Sequence, residues 1–233
     1  MERLDKWVAS SFAVSRKEAK NAIRAGRVAV NGAPCRTEDA KFDSDAVITL
    51  DGRPAALGHV YFMLHKPAGI LTASRDATRK TVLDLIPPEF ARKDLFPVGR
   101  LDKDTTGLLL ITDDGAWAHR LVSPRHHVAK VYRVRLDGAV TETAVRGFAE
   151  GVILADGEIC KPAVLTVTED PMVALVTLRE GKYHQIKRMF GVFGVGVVDL
   201  HRESIGGVSL DPALPVGGVR RLTAEEVLAA EDK

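Results

Sequence analysis

Gly99-Arg100-Leu101-Asp102-Lys103-Asp104-Thr105-Thr106-Gly107-Leu108-Leu109-Leu110-Ile111-Thr112-Asp113-Asp114-Gly115 is the densest chemical signal in the chain. It reads as a polar loop feeding a buried apolar strand, closed by an Asp-Gly turn. A carboxylate placed just ahead of a buried strand is held rigidly and partly desolvated, which suits a catalytic acid, base or nucleophile. Solvated loop aspartates are the simpler reading of the pattern. Nor does pattern choose between Asp102, Asp104, Asp113 and Asp114.

Downstream, alternating runs at Val131–Leu136, Ala163–Thr168 and Val173–Arg179 predict strands bounded by Gly, Pro or Asp. Thr141–Glu150 and Tyr183–Phe193 read as helices, and Thr223-Ala224-Glu225-Glu226 starts a C-terminal one with a capping box. Strands outnumber helices and do not alternate strictly with them. The expected class is therefore α+β, with a largely antiparallel mixed sheet.

Upstream, Gly52, Pro54 and Gly58 mark a small-residue linker, which predicts domains at 1–57 and 58–233. The first segment has a short helical stripe (Leu4, Trp7, Val8, Ser11) and a capping box at Ser15-Arg16-Lys17-Glu18. On the capped helix Ala19, Ala22, Ile23 and Gly26 face inward at helical spacing. Val28-Ala29-Val30 is a short strand, and Asn31-Gly32 signals a type I′ turn. From Arg3 to Arg36 eight basic residues stand against only Asp5 and Glu18, although the whole chain carries a net charge of only +2. Such a local cluster is the footprint of a polyanion partner, and Arg3, Lys6, Arg16, Lys17, Lys20, Arg24 and Arg27 are its candidate contacts. A solvated helix face is the plainer alternative.

The 233 residues are 45% apolar and 27% charged, as in an ordinary globular protein. No apolar run is long enough to cross a bilayer and the N-terminus has no apolar signal core, so a cytoplasmic protein without membrane attachment is expected. Cys35 and Cys160 cannot build a disulfide framework or a multi-cysteine metal site. His119, His126, His127, His184 and His201 lack zinc-ligand spacing, so no metal is expected. Neither an ordinary Gly-x-Gly-x-x-Gly after a strand nor a Walker loop occurs.

The first fifty or so residues resemble the S4 RNA-binding domain, through Arg3-Leu4-Asp5-Lys6-Trp7, Ser15-Arg16-Lys17-Glu18-Ala19 and Val28-Ala29-Val30-Asn31-Gly32. The Gly99–Leu109 run resembles the signature Gly-Arg-Leu-Asp-x-x-Thr-x-Gly-Leu-Leu of pseudouridine synthases that modify ribosomal RNA. Supporting motifs follow in order: Leu64-His65-Lys66-Pro67-Ala68-Gly69, Lys130-Val131-Tyr132, and Leu178-Arg179-Glu180-Gly181-Lys182-Tyr183-His184-Gln185-Ile186-Lys187-Arg188-Met189. The stretch from Thr112 to His127 is similar to the RsuA family, which acts on 16S RNA of the small ribosomal subunit.

This resemblance implies that Asp102 is the essential carboxylate, that Tyr132 packs against the target base, and that Lys187 pairs with the carboxylate. It implies uridine 516 of 16S rRNA as the target, free or in a small-subunit assembly intermediate. No cofactor or protein partner is expected, and the chain is expected to be a monomer. Pattern alone would equally allow Tyr132 to be a core tyrosine and Lys187 a snorkelling lysine on the helix that buries Ile186, Met189 and Phe190. Arg100 beside Asp102, with Arg125 and Lys130 near the paired histidines, suits RNA contact. Two other readings remain open: a large-subunit 23S rRNA synthase, and a non-catalytic S4-type RNA-binding or ribosome-assembly factor.

Overall fold

The computed structural model describes residues 3–12, 14–42, 46–54, 59–92, 94–123 and 125–232. The chain divides into two compact units, Met1–His59 with Ile86–Leu95, and Val60–Leu85 with Phe96–Lys233. The domain boundary expected between Leu57 and Gly58 lies outside the described residues.

In the first unit, helices α1 (Leu4–Ser11) and α2 (Arg16–Arg24) precede strands β1 (Val28–Val30), β2 (Ala33–Pro34), β3 (Ile48–Leu50) and β4 (Arg53–Pro54). The strands form a sheet in the order β2-β1-β3-β4. Ser15 caps α2 as the sequence predicts: its hydroxyl accepts from the Glu18 amide, and the Glu18 carboxylate accepts from the Ser15 amide. Asn31 and Gly32 turn the β1–β2 hairpin with φ of 49° and 82°. That pair of left-handed residues is what a type I′ turn requires. Leu4, Val8, Ala19, Ala22, Ile23, Val28 and Ile48 fill the small core.

Its basic residues are more neutralised than the local count implies. Asp5 is fully buried and receives Arg3 Nε at 3.0 Å, Arg16 Nε at 3.3 Å and Lys20 Nζ at 3.9 Å. Arg24 and Lys20 pair with Glu38, and Arg27 pairs with Asp51. The acidic stretch after Arg36 thus folds back onto the cluster. Arg3, Arg16, Lys17 and Lys20 nevertheless line a shared open depression.

In the second unit the strands are β5 (Tyr61–Lys66), β6 (Phe96–Pro97), β7 (Thr106–Thr112), β8 (Lys130–Leu136), β9 (Val164–Val167), β10 (Val173–Leu178), β11 (Val197–Ile205), β12 (Val208–Ser209) and β13 (Val219–Arg221). The helices are α3 (Gly115–Val122), α4 (Glu142–Glu150), α5 (Gln185–Val192) and α6 (Ala224–Ala229). Nine strands form one mixed sheet whose main path runs β13-β5-β7-β11-β8-β10-β9. Among the described strands only β7 and β11 pair in parallel, so the sheet is largely antiparallel, as expected. Met63, Leu108, Leu110, Trp117, Leu121 and Ile205 pack together, placing α3 against β5, β7 and β11. Phe148 of α4 and Phe190 of α5 meet in another part of the core, with ring centroids 4.9 Å apart and planes tilted by 48°.

Two features differ from the sequence reading. Asp114-Gly115 is not a turn closing β7: Asp114 is the N-cap of α3, its carboxylate accepting from the Ala116 and Trp117 amides. A glycine at the first helical position disguised that start. Helix α5 begins at Gln185 instead of Tyr183, because His184 takes the left-handed conformation, φ 47° and ψ 35°.

The Asp5 cluster generates a pH test. Hydrogen bonding from Arg3, then Arg16, holds the Asp5 carboxyl down to about 2 against the opposing effect of burial. A depressed carboxyl contributes stability that is complete above its unfolded value and fades as pH falls through the folded one. Asp5→Asn should therefore cost about 1–2 kcal/mol at pH 7, with the deficit constant down to about pH 5 and shrinking below about pH 4. Amide exchange of α1 and α2 across this range measures it.

Candidate active site

The loop that opens β7 is fastened from below by the end of β5. Antiparallel pairing sets Lys66 opposite Gly107, so the Lys66 stem runs beneath the residues just ahead of the strand. Its ammonium is fully buried and donates to the carbonyls of Pro67 at 3.0 Å, Lys103 at 3.2 Å and Thr105 at 2.8 Å. Three N–H groups meet three acceptors, which is the full capacity of an ammonium. Burial pulls the Lys66 pKa down to about 8, opposed by the charges of Asp104 and Asp102. The group stays charged at neutral pH.

Further ties complete the loop. The Thr72 hydroxyl donates to the Leu101 carbonyl at 2.8 Å and accepts from the Leu101 amide at 3.3 Å. The Gly69 amide donates to the Lys103 carbonyl at 2.8 Å, and the Thr105 amide to that of Asp102 at 3.2 Å. Asp102 is flanked by these ties and has little freedom to move.

The four aspartates of the stretch now separate by environment. Asp113 accepts from the Val60 amide at 2.9 Å, while Asp114 caps α3 and accepts from the Tyr61 hydroxyl at 2.9 Å. Asp104 is largely exposed and pairs with Lys187, whose hydrogen bond holds its carboxyl below the usual range. Of the four, Asp102 alone lines a cavity of about 840 Å³. Its Oδ1 lies 3.5 Å from Nε2 of His184.

Tyr132 lines the same cavity from β8, where alternation puts Tyr132, Val134 and Leu136 on the buried face. Behind it stands Arg202 of β11, also buried. Arg202 Nε donates to the Leu108 carbonyl at 2.8 Å, and Nη1 reaches the Tyr132 hydroxyl at 3.5 Å. Arg202 Nη2 and the Thr105 hydroxyl are buried without a hydrogen-bond partner, and both residues line the cavity. Such orphaned groups are costly in a finished core and ordinary where a ligand or water completes the site. The strand contact carrying Arg202 depends on Gly107: a Cβ there would lie 2.3 Å from the Arg202 carbonyl oxygen, and Gly107 has φ of 103°.

The expected site residues fall out unequally. Asp102, Tyr132 and Arg100 line one cavity. Lys187 sits half-buried on α5, as its position beside the apolar stripe implies, but its Nζ meets Asp104 and not Asp102. The short reach from α5 to the exposed Asp104 carboxylate decides that partner. Lys130 also differs from expectation: its ammonium turns inward to the carbonyls of Leu121 at 3.1 Å and Val128 at 2.9 Å, and burial lowers its pKa to about 8. It lines the cavity without presenting a free cation to phosphate. Arg125 is exposed. Arg3, Lys6, Arg16, Lys17, Lys20, Arg24 and Arg27 belong to the first unit.

Sequence reading placed Lys66 and His184 inside family motifs, expecting phosphate or base contact or plain structure of His184 and no particular role of Lys66; it did not single out Thr72 or Arg202. A charged residue ending the apolar run Tyr61–His65 is a signal for Lys66. Nothing in sequence separates Arg202 from a solvated strand arginine. Among the described residues no group of three or more His, Cys, Asp and Glu is arranged to hold a metal ion.

Replacing Lys66 by Met keeps the stem but leaves three buried carbonyls without a donor. Each unmade bond costs about 1–3 kcal/mol, offset in part by no longer burying a charge. Lys66→Met should lower unfolding free energy by about 2–4 kcal/mol in urea denaturation. Stability within about 0.5 kcal/mol of the wild type would contradict the tie.

The chain is similar to known proteins over nearly its whole length. Residues 60–191 match the family described as RNA pseudouridylate synthase, and residues 2–48 match the S4 domain. Ribosomal small subunit pseudouridine synthase A of Escherichia coli (strain K12) is 46% identical over 228 residues, 97% of this chain and 98% of the relative. An uncharacterized RNA pseudouridine synthase of Bacillus subtilis, YtzG, is 44% identical over 97% of this chain and 96% of its own length. A solved structure described as a pseudouridylate synthase aligns with a TM-score of 0.69 at 38% identity, covering 99% of this chain and 100% of that one. The chain belongs to the RNA pseudouridine synthases, enzymes that isomerise uridine, and within them to the RsuA type that carries an N-terminal S4 domain.

Proposed function

We propose that this enzyme converts uridine 516 of 16S rRNA, free or within a small-subunit assembly intermediate, to pseudouridine, with Asp102 as its catalytic carboxylate. The observation that carries the site assignment is that Asp102, from the loop ahead of β7, and Tyr132, from β8, line one cavity. Its volume falls within the range of ligand pockets, roughly 300–1,000 Å³, and suits a nucleotide turned out of its stack. The 46% identity to the E. coli small-subunit enzyme over nearly the whole chain supports the target.

The reaction breaks the bond from uracil N1 to ribose C1′, turns the base and rejoins it through C5; the new bond replaces C5–H, whose proton is released, and N1 takes a proton up. No electrons are gained or lost. Asp102 starts the cleavage at the ribose, by attack on carbon or by taking a ribose proton, and the tied loop holds the carboxylate in one geometry for either route. Tyr132 supplies the ring against which the detached uracil is held while it turns. Lys187 supports this arrangement from one step away: it pairs with Asp104, two residues from Asp102 in the same loop. Arg100 at the cavity, the exposed Arg125 and the depression lined by Arg3, Arg16, Lys17 and Lys20 offer cations to phosphate. Lys6, Arg24 and Arg27 are the remaining candidate cations of the first unit, the last two with their charge shared with Glu38 and Asp51.

Tritium release from transcripts labelled at uracil C5 tests both target and site. The wild type should release tritium from 16S but not from 23S transcripts. Asp102→Asn, which keeps size and removes charge, should abolish release while leaving RNA affinity nearly intact. Release from 23S RNA alone would transfer the enzyme to the large subunit, and turnover by folded Asp102→Asn would remove Asp102 from the chemistry.

A further inference from the structure

Tyr183 is the most exposed tyrosine described in the chain, at 75%, and it lines the cavity that holds Asp102. Its ring lies face to face on that of His184, with centroids 3.9 Å apart and planes 17° from parallel. Through Nε2, at its ring edge, His184 comes within 3.5 Å of Asp102 Oδ1. Carboxylate, imidazole and phenol therefore follow one another in a short series, and the phenol is its exposed end.

A freely mobile aromatic would make a poor contact, but this one stands on a fixed base. The Tyr183 carbonyl accepts from Arg188 Nη1 at 3.2 Å. Arg188 is itself bound to Asp156 at 2.6 Å and Glu158 at 3.0 Å, and Glu158 also holds Lys182 at 2.8 Å. His184, next along, is kept in the left-handed conformation that non-glycine residues adopt at a cost. The segment spends charge pairs and backbone strain to present a large apolar ring to solvent. Nothing in folding rewards that exposure.

We infer that Tyr183 is an RNA-stacking residue, binding the exposed face of a nucleobase adjacent to the target uridine. This rests on the cavity beside Asp102 being the active site. Turning a uridine out of its stack leaves the faces of its neighbours uncovered, and aromatic side chains cover such faces irrespective of base identity. The separation between the two rings, 3.9 Å, is close to that of successive bases in a stack. A neighbouring base would extend the His184–Tyr183 pair into a third layer, while the target uridine occupies the cavity with Asp102. The ring face, and not the hydroxyl, makes the contact.

The test compares kcat/KM of the full-length wild type, Tyr183→Ala, Tyr183→Phe and Asp102→Asn on a 16S rRNA transcript. Base–aromatic stacking contributes about 1–3 kcal/mol, which converts to a loss of roughly 5- to 150-fold for Tyr183→Ala. Tyr183→Phe should stay within about twofold, since it keeps the ring. An exposed side chain leaves folding untouched, so melting temperatures of both variants should match the wild type. A loss below about fivefold for Tyr183→Ala, or an equal loss for Tyr183→Phe, overturns the inference. The Asp102→Asn arm separates the two levels: an inactive Asp102→Asn beside an unimpaired Tyr183→Ala rejects stacking alone, whereas an active Asp102→Asn rejects the site beneath it.

Discussion

The buried ammonium of Lys66, shared among the carbonyls of Pro67, Lys103 and Thr105, is the contact on which the site depends. A loop rich in charge has little reason to hold one shape in water. Here its backbone is closed around a cation that only the loop and its neighbouring residues solvate. The exchange is favourable because each donor finds an acceptor, and because the negative charges of Asp102 and Asp104 offset part of the cost of burial. The Asp102 carboxylate, the proposed catalytic group, therefore sits on backbone tied to the central strands β5 and β7, with its side chain left open to the cavity.

The parallel contact of β7 with β11 extends the same logic across the sheet. Gly107 lets the Arg202 backbone approach, and the Arg202 guanidinium then bridges the Leu108 carbonyl and the Tyr132 hydroxyl. One arginine thus couples the strand that follows the Asp102 loop to the ring proposed to hold the base. The other charged groups are arranged around this axis: Lys187 on Asp104, and Glu180 accepting from Gln185 at 2.8 Å and from the Lys161 amide at 2.8 Å. Those last contacts fix the turn from which His184 and Tyr183 project.

What could be read from sequence was mostly local. The Ser15–Glu18 and Thr223–Glu226 capping boxes and the Asn31-Gly32 turn involve residues at most three apart, and each is present as read. Alternation along β8 and β10 likewise reports which side of a strand is buried, and that is fixed by neighbours two residues away. Partners far along the chain were not legible. Lys187 and Asp104 are separated by 83 positions, and no pattern distinguishes Asp104 from Asp102 as its partner. Glu38 and Asp51 return to Arg24 and Arg27 only after the small sheet has formed, so a local charge count overstated the free positive charge. Arg202 was invisible for a similar reason: its burial depends on how close β7 comes, and so on Gly107. The motif resemblance named Asp102, Tyr132 and Lys187 and gave Asp102 as the partner of Lys187, where the structure has Asp104; it gave no role to Lys66 or Arg202.

The most direct measurement is the single-turnover rate of pseudouridine formation by folded Lys66→Met at saturating 16S rRNA. Asp102, Tyr132 and the basic surface are all intact in this variant, and only the fastening of the loop is lost. A misplacement of the reacting group by about 1 Å costs on the order of a hundredfold in rate. A loop held by Lys66 therefore gives a rate at least about tenfold below the wild type, with RNA affinity unchanged. A wild-type rate from the folded variant would show that the Asp102 loop keeps its catalytic geometry without the buried ammonium.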